Sequence, residues 1–387
     1  MSDAVFLTLN AGSSSVKFAV YAAGADPTEI ARGQIESLGD TARLKMSGDG
    51  IDPCREDIGK ADHNTAMIAI LDHLGPVLNG RAVTGVGHRI VHGGDHYAAP
   101  QVLDEETLRT LATFSPLAPL HQPFNLAGVR AAIEAFPNAV QVGCFDTAFH
   151  RGHERRFDEF GLPRAFFDAG VRRYGFHGLS YTYIADQLRR DFPKLVAGRV
   201  IVAHLGNGAS MCAMVGGQSI STTMGFSALD GLVMGTRPGA LDAGVMLYLM
   251  TDRGMDARAL SNMLYRDCGL LGLSGISHDM RTLLDSDDPA AAQAIDTYVT
   301  RIRHEIGGMA ADMGGLDALV FTGGIGENAS PIRQKVCDGM GWLGVHLNHA
   351  ANAKGQADIG AGRVRVLALK TDEERVIARA VKGVLAG

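Results

Sequence analysis

Two arginines and two histidines stand in short segments framed by glycine or proline. Arg89 lies in Gly87-His88-Arg89-Ile90-Val91-His92-Gly93-Gly94, and His121 follows Ala118-Pro119-Leu120. His177 lies in Arg173-Tyr174-Gly175-Phe176-His177-Gly178, and Arg237 in Met234-Gly235-Thr236-Arg237-Pro238-Gly239. Guanidinium and imidazole groups held in stiff loops are suited to gripping an anion. One such residue is commonly structural, whereas four in separate loops favour an anion site. Asp146 joins them because it directly follows the apolar run 139–145, and ligands of open α/β sheets bind beyond the carboxyl ends of strands. Glu373 falls in the first turn of a C-terminal amphipathic pattern, where a carboxylate also complements the helix dipole. His88, His92 and His96 are spaced by four, as zinc ligands on a helix would be. The β-favouring residues before them and Gly93-Gly94 after them argue against that helix, so the metal reading is set aside.

Three glycine-rich segments supply a second kind of chemistry. Asn10-Ala11-Gly12-Ser13-Ser14-Ser15 separates two apolar runs, and Leu205-Gly206-Asn207-Gly208-Ala209-Ser210 separates two more. Each reads as a β-hairpin whose turn offers backbone N–H groups and small donors to a phosphate. Lys17 on the first returning strand adds a point charge. Ordinary surface hairpins remain the alternative reading of these turns. The third segment, Phe321-Thr322-Gly323-Gly324-Ile325-Gly326-Glu327-Asn328, follows a strand and precedes a helix, a context that suits a nucleotide contact. No G-x-x-x-x-G-K-[ST] and no G-x-G-x-x-G spacing occurs, so an ATP user built this way needs another fold.

The elements that must position these groups alternate. Strands are predicted at 83–91, 139–145, 199–204 and 318–322, and helices at 120–136, 297–312 and 331–340. A final helix over 371–385 has Thr371 and Glu374 in capping-box spacing. This order means α/β, and the repeated hairpin suggests a duplicated domain with its boundary in the loops after Phe145. The chain's 387 residues are comfortable for two domains. Its 49 glycines fall in short loops without a triplet repeat. A net charge of −6 and a pI near 6.1, without a basic stripe, argue against nucleic-acid binding. No stretch suggests a membrane span or secretory leader. The scattered cysteines Cys54, Cys144, Cys212, Cys268 and Cys337 read as reduced thiols in the cytoplasm.

Together these segments, with Phe145-Asp146-Thr147-Ala148-Phe149-His150, resemble the acetate kinase family from Asn10 to the final helix. The resemblance implies two duplicated ribonuclease H-like (actin-like ATPase) domains with the active site in the cleft between them. The domains would be 1–148 plus 371–387, closed by the C-terminal helix, and 149–370. It implies a cytoplasmic homodimer that uses ATP/ADP and Mg²⁺, with Mn²⁺ as an alternative, to phosphorylate acetate reversibly. By the family pattern Asn10 and Glu373 lie near the metal. Lys17, His204, Leu205, Gly206, Asn207 and Gly208 contact phosphate. Asp279, Met280 and Arg281, with Gly324, Ile325, Gly326, Glu327 and Asn328, form the nucleotide pocket. Arg89 and Arg237 hold the carboxylate and the phosphoryl group, His177 stabilises the transition state, and Asp146 is the catalytic acid residue. An acetate carboxylate is already ionised at neutral pH, so Asp146 is expected to orient Arg89 or a metal-bound water rather than to take a proton.

Val91, Leu120 and Phe176 match the acyl pocket. Ala228 stands where the family often has Pro, which keeps propionate open as a substrate; one methylene is worth only about 1–3 kcal/mol of discrimination. The competing readings are another short-chain acyl kinase, a pyrophosphate-linked variant, and an actin-like ATP-regulated binding module. The last needs no pair of anion-clamping arginines.

Overall fold

The protein is described here from a computed structural model, which covers residues 4–12, 15–48, 51–119 and 121–386. Contacts divide the chain into two units, residues 1–151 with 372–387, and residues 152–371. The apolar runs of the sequence become the central strands of each. In unit 1 these are β1 (Ala4–Ala11), β2 (Ser15–Ala22), β3 (Thr28–Glu36), β4 (Gly39–Gly48), β5 (Ile51–Ala61), β6 (Ala82–Ile90), β7 (Gln101–Val102) and β8 (Val140–Phe145). They form one sheet in the order β5-β4-β3-β2-β1-β6-β8-β7. Unit 2 holds β9 (Arg199–Leu205), β10 (Ala209–Val215), β11 (Gln218–Thr222), β12 (Ala318–Thr322) and β13 (Arg365–Ala368), in the order β11-β10-β9-β12-β13.

The two sheets share one plan. β3-β2-β1-β6-β8 and β11-β10-β9-β12-β13 both consist of an antiparallel meander joined through its first strand to two parallel strands. Parallel strands need crossover helices, and the helices His63–Leu78, Gln122–Ala135 and Pro289–Met313 supply them. The core of unit 1 joins β1–β6 to the first two of these helices through Leu7, Val20, Leu44, Ile70 and Ala132. The helix Glu373–Ala386 returns to unit 1 and packs on β1, β6 and β8. Gly85 and Gly87 make this possible, because a Cβ at either would collide with Val381 or Ile377.

Two expectations about helix ends change. The helix read over 297–312 is Pro289–Met313; Asp288 caps it and Pro289 occupies its first turn, where a proline loses no intrahelical hydrogen bond. The capping box at Thr371 does not form. Asp372 Oδ1 accepts the Arg375 N–H at 3.1 Å, while Thr371 donates its backbone N–H to Glu327 Oε1 at 3.1 Å. An ionised carboxylate is the stronger acceptor at the positive end of a helix. The Thr371 hydroxyl is buried with no hydrogen-bond partner among the described residues.

Candidate active site

In unit 1 the parallel register of β6 and β8 sets Arg89 opposite Cys144 and Ile90 opposite Phe145. Asp146, one residue beyond β8, donates its N–H to the Ile90 carbonyl at 3.0 Å. Its carboxylate thereby meets one edge of the Arg89 guanidinium: Nε to Oδ1 at 3.0 Å, Nε to Oδ2 at 3.1 Å and Nη2 to Oδ2 at 2.7 Å. Asp146 is 1% exposed. Glu373 Oε2 lies 3.7 Å from Arg89 Nη1. Burial works against the Arg89 charge, but Asp146, Glu373 and Glu374 outweigh it and raise its pKa. Burial, then repulsion from Glu373, pushes the neighbouring Glu374 carboxyl up.

The segment after Arg89 is held by side-chain amides from the helix Gln122–Ala135. Asn125 Oδ1 accepts the Val91 N–H at 2.9 Å, and its Nδ2 donates to the Ala11 carbonyl at 2.5 Å. Gln122 accepts from the His92 N–H at 3.2 Å and donates to the His92 carbonyl at 2.9 Å. Thr147 Oγ1 accepts the Gly93 N–H at 3.1 Å. Val91 is thus fixed in place and buried. Asn10, at the end of β1, faces Lys17 across the first hairpin, and Lys17 opens onto a cavity of about 470 Å³ shared with Arg32, Lys45 and Glu374. Leu120, Ser13 and Ser14 lie outside the described residues. Of the three evenly spaced histidines, His88 is a buried β6 residue bonded to Gln141 at 2.8 Å. His92 accepts the Gly94 N–H at 3.0 Å, and His96 is exposed beside Asp95.

Unit 2 assembles the other set around the β9–β10 turn, which closes with a Gly206 N–H to Gly208 carbonyl bond of 3.1 Å. His177 adopts a left-handed conformation, with φ of 57°, at the start of the helix Gly178–Asp191. Its Nδ1 lies 2.8 Å from Ser210 Oγ, which also meets the Tyr181 hydroxyl at 2.5 Å. The imidazole stacks on His204 with centroids 4.3 Å apart, and His204 is held by Ser180 Oγ at 2.8 Å. A Cβ at Gly208 would lie 2.9 Å from Arg237 Nη2 and 3.4 Å from His177 Nε2, so both groups close over a turn that only glycine leaves open. Phe176 is buried beside them in sequence.

Arg237 is the electrostatic anomaly of this unit. Its Nη1 donates to the Ala228 carbonyl at 2.7 Å, yet among the described residues no carboxylate lies within ion-pair distance of it. Burial draws its pKa down. A buried guanidinium without a counter-charge is costly, and a bound anion would offset that cost.

A cavity of about 660 Å³ next to the turn is lined by Gly206, Asn207, Asp279, Met280 and Arg281, and on its other side by Gly324, Ile325 and Asn328. His278 and Pro331 also line it. Asp279 caps the helix Met280–Leu284 and pairs with Arg281 at 2.6 Å, and this bond holds its carboxyl down at about 2. Gly326 and Glu327 are not among its lining residues. The Gly326 carbonyl accepts from Arg333 at 2.8 Å, and Glu327 Oε1 accepts the N–H groups of Gly323 and Thr371, each at 3.1 Å. Leu205 is a buried strand residue.

Sequence reasoning missed Gln122, Asn125, Ser180, Tyr181, Ser210 and His278. Gln122 and Asn125 carried a signal: they are polar, one turn apart, on the face of a helix whose other inward positions are apolar. No comparable pattern marks the others.

The acetokinase family profile matches residues 5–379. The chain is 49% identical to an acetate kinase of Methylocella silvestris, over 96% of each chain. It is 50% identical to one of Rhodopseudomonas palustris, over 98% of each. Among solved structures, acetate kinase of Porphyromonas gingivalis superposes with a TM-score of 0.89 at 35% identity, covering 99% of this chain and 100% of that one. A propionate kinase of Francisella tularensis gives 0.92 at 33%, covering 98% and 99%. The α/β architecture, with the same five-strand plan in both units, is the duplicated ribonuclease H-like fold. By profile, by identity along nearly its whole length and by structure, this chain belongs to the acetokinase family.

Proposed function

We propose that the protein is an acetate kinase, transferring the γ-phosphoryl group of ATP reversibly to acetate to give acetyl phosphate and ADP. The observation that carries this reading is Arg237, a buried cation with no carboxylate partner among the described residues, beside a glycine turn and a stacked His177. A phosphoryl group in flight spreads negative charge over three equatorial oxygens, so its catalysis is chiefly positioning and positive charge. In this reading the unit 2 cavity takes the nucleotide, through Gly206, Asn207, Asp279–Arg281 and Gly324–Asn328. Arg237 and His177 Nε2 meet the γ-phosphoryl oxygens. Asp146 fixes one edge of Arg89 and turns Nη1, 3.7 Å from Glu373, toward the acyl substrate, and Val91, Leu120 and Phe176 keep the acyl-pocket role that the family resemblance gives them. Lys17 serves the phosphates. Asn10 and Glu373 provide hard oxygen donors of the kind Mg²⁺ prefers, and the Glu373 carboxylate already stands in an acidic, largely buried corner with Asp146 and Glu374. Mg²⁺ there would neutralise charge on the transferring group.

The helix Ala243–Thr251 buries none of its residues within the chain, although Val245, Leu247, Tyr248 and Met250 are apolar and exposed. That face supports a homodimer, which light scattering of the purified protein tests. Among the described residues no helix is long and apolar enough to cross a membrane, and all five cysteines are unpaired, which suits the cytoplasm.

A hydroxamate assay for acyl phosphate, run with ATP and Mg²⁺ on acetate, propionate and butyrate, tests the reading. Acetate should give the highest kcat/KM. A higher value for propionate, for which the Francisella tularensis structure and Ala228 speak, would move the assignment to a propionate kinase. ATP hydrolysis without any acyl hydroxamate would end both.

A further inference from the structure

We infer that unit 1 carries a second, soft-metal site, formed by Cys54, Glu56 and His73 and suited to Zn²⁺ or a similar divalent transition metal. Cys54 and Glu56 are two apart on β5 and therefore share one face. They pair with Met46 and Leu44 on β4, whose side chains belong to the core beneath the helix His63–Leu78. That helix buries Ile70 and Leu74 and so brings His73, which lies between them, to the same edge. One ligand atom from each of the three side chains lies within 4.8 Å of the other two. Tetrahedral zinc with thiolate, imidazole and carboxylate requires separations of about 3.4–3.6 Å, so the His73–Glu56 pair, at 2.9 Å, would open slightly and the sulfur settle beside it, shifts that side-chain rotation can supply.

The hydrogen bonds of His73 point to a cation. Its Nδ1 donates to the Ala69 carbonyl at 2.8 Å, the backbone contact that commonly orients a metal-binding imidazole. With that nitrogen committed, Nε2 of the neutral ring turns a lone pair toward Glu56 Oε2, only 2.9 Å away. Two electron-rich atoms so placed attract only when a proton lies between them or a metal ion sits to one side and binds both. The Cys54 sulfur beside them has no use for a proton on the ring, but as a thiolate it completes a donor set for a metal. Thiolate and imidazole select zinc-like ions over Mg²⁺, which separates this site from the oxygen donors Asn10 and Glu373. Glu56 is half exposed, with 52% of its side chain accessible, so water can take the fourth position. Binding would release the Cys54 thiol proton to solvent. Because β5 is the outer strand of its sheet, the metal would pin that edge to the helix.

The test is a Co²⁺ titration of the reduced full-length protein with Mg²⁺ saturating. A thiolate-to-cobalt charge-transfer band should grow to one equivalent and be displaced by Zn²⁺. The band should vanish in Cys54→Ser, and Co²⁺ affinity should fall at least tenfold in His73→Gln and Glu56→Gln, all three variants turning over as wild type does. Absence of the band in wild type, or its survival in Cys54→Ser, overturns the site and leaves a protonated His73–Glu56 ion pair in its place.

Discussion

Asp146 is the sharpest place to test the proposed mechanism, because two roles for it predict different kinetics. As a positioning group it holds the Nε–Nη2 edge of Arg89 through contacts of 2.7–3.1 Å. Asp146→Asn keeps one acceptor but turns an NH₂ group toward the other guanidinium N–H. The loss is roughly one charge-assisted hydrogen bond, about 1.5–3 kcal/mol, plus a donor–donor clash in a buried site. Glu373, at 3.7 Å from the opposite nitrogen, cannot replace it without drawing Arg89 away. A total of about 2–4 kcal/mol corresponds to a fall of roughly 30- to 1,000-fold in kcat/KM.

The assay is steady-state acyl phosphate formation at saturating Mg²⁺ across pH, beside a thermal melt of the same preparation. The expected result is a lower kcat, a raised KM for the carboxylate and an unchanged shape of the pH profile. A purely structural Asp146 would lower the melting temperature and leave kcat alone. Loss of the acid limb of the profile in the variant would identify Asp146 as the proton acceptor. Either that result, or kcat/KM within threefold of wild type in a folded variant, would refute the positioning argument.

Arg237→Lys should lower kcat on the order of 10²–10³-fold, measured by the same assay, since a lysine cannot bond the Ala228 carbonyl and present a planar fork to the phosphoryl oxygens together. Gly208→Ala should also depress kcat, because its Cβ would stand 2.9 Å from Arg237 Nη2 and displace it; melting temperature should change little. Thr371→Val should hold or raise stability by up to about 1 kcal/mol in urea unfolding, as it removes a buried hydroxyl with no partner among the described residues. Stability should also fall on mild acidification. Burial pushes His88 down to about 4 against its Gln141 bond, and burial with Arg151 pushes His92 down to about 3. The unfolded chain takes up both protons near pH 6.5, whereas the folded protein resists. Their stabilisation is therefore complete above about 6.5 and is lost as pH falls toward 4, by at most about 2.7 kcal/mol per pH unit for the two together. His88→Gln should remove about half of that slope in unfolding titrations from pH 7.5 to 5.

Much of this architecture is legible in single segments. The two hairpins announce themselves because apolar runs stop at Gly, Ser and Asn and resume at once. Arg89 and Asp146 can be placed at strand ends by counting residues. Their bidentate contact cannot, because it depends on the parallel register of β6 against β8, strands about fifty residues apart in the chain. Gln122 and Asn125 can be marked as inward-facing polar residues, but what they clamp cannot: their partners are backbone groups of Val91, His92 and Ala11, and backbone groups have no sequence signature. Local rules also collide. Thr371 with Glu374 and Asp372 with Arg375 are overlapping patterns, and the ionised carboxylate takes the helix end.

His177 shows why the two kinds of signal must be joined. Its left-handed φ of 57° is uncommon for a residue with a Cβ and is held by Ser210 Oγ on one side and the His204 ring on the other. Neither partner is near it in sequence. The strain is tolerable because those contacts over-determine the ring, and strain so supported tends to mark functional positions. Nε2 faces the Gly208 turn at the distance a Cβ there would find crowded. The imidazole is thus held with Nε2 toward the turn to which the proposed function assigns the phosphoryl group.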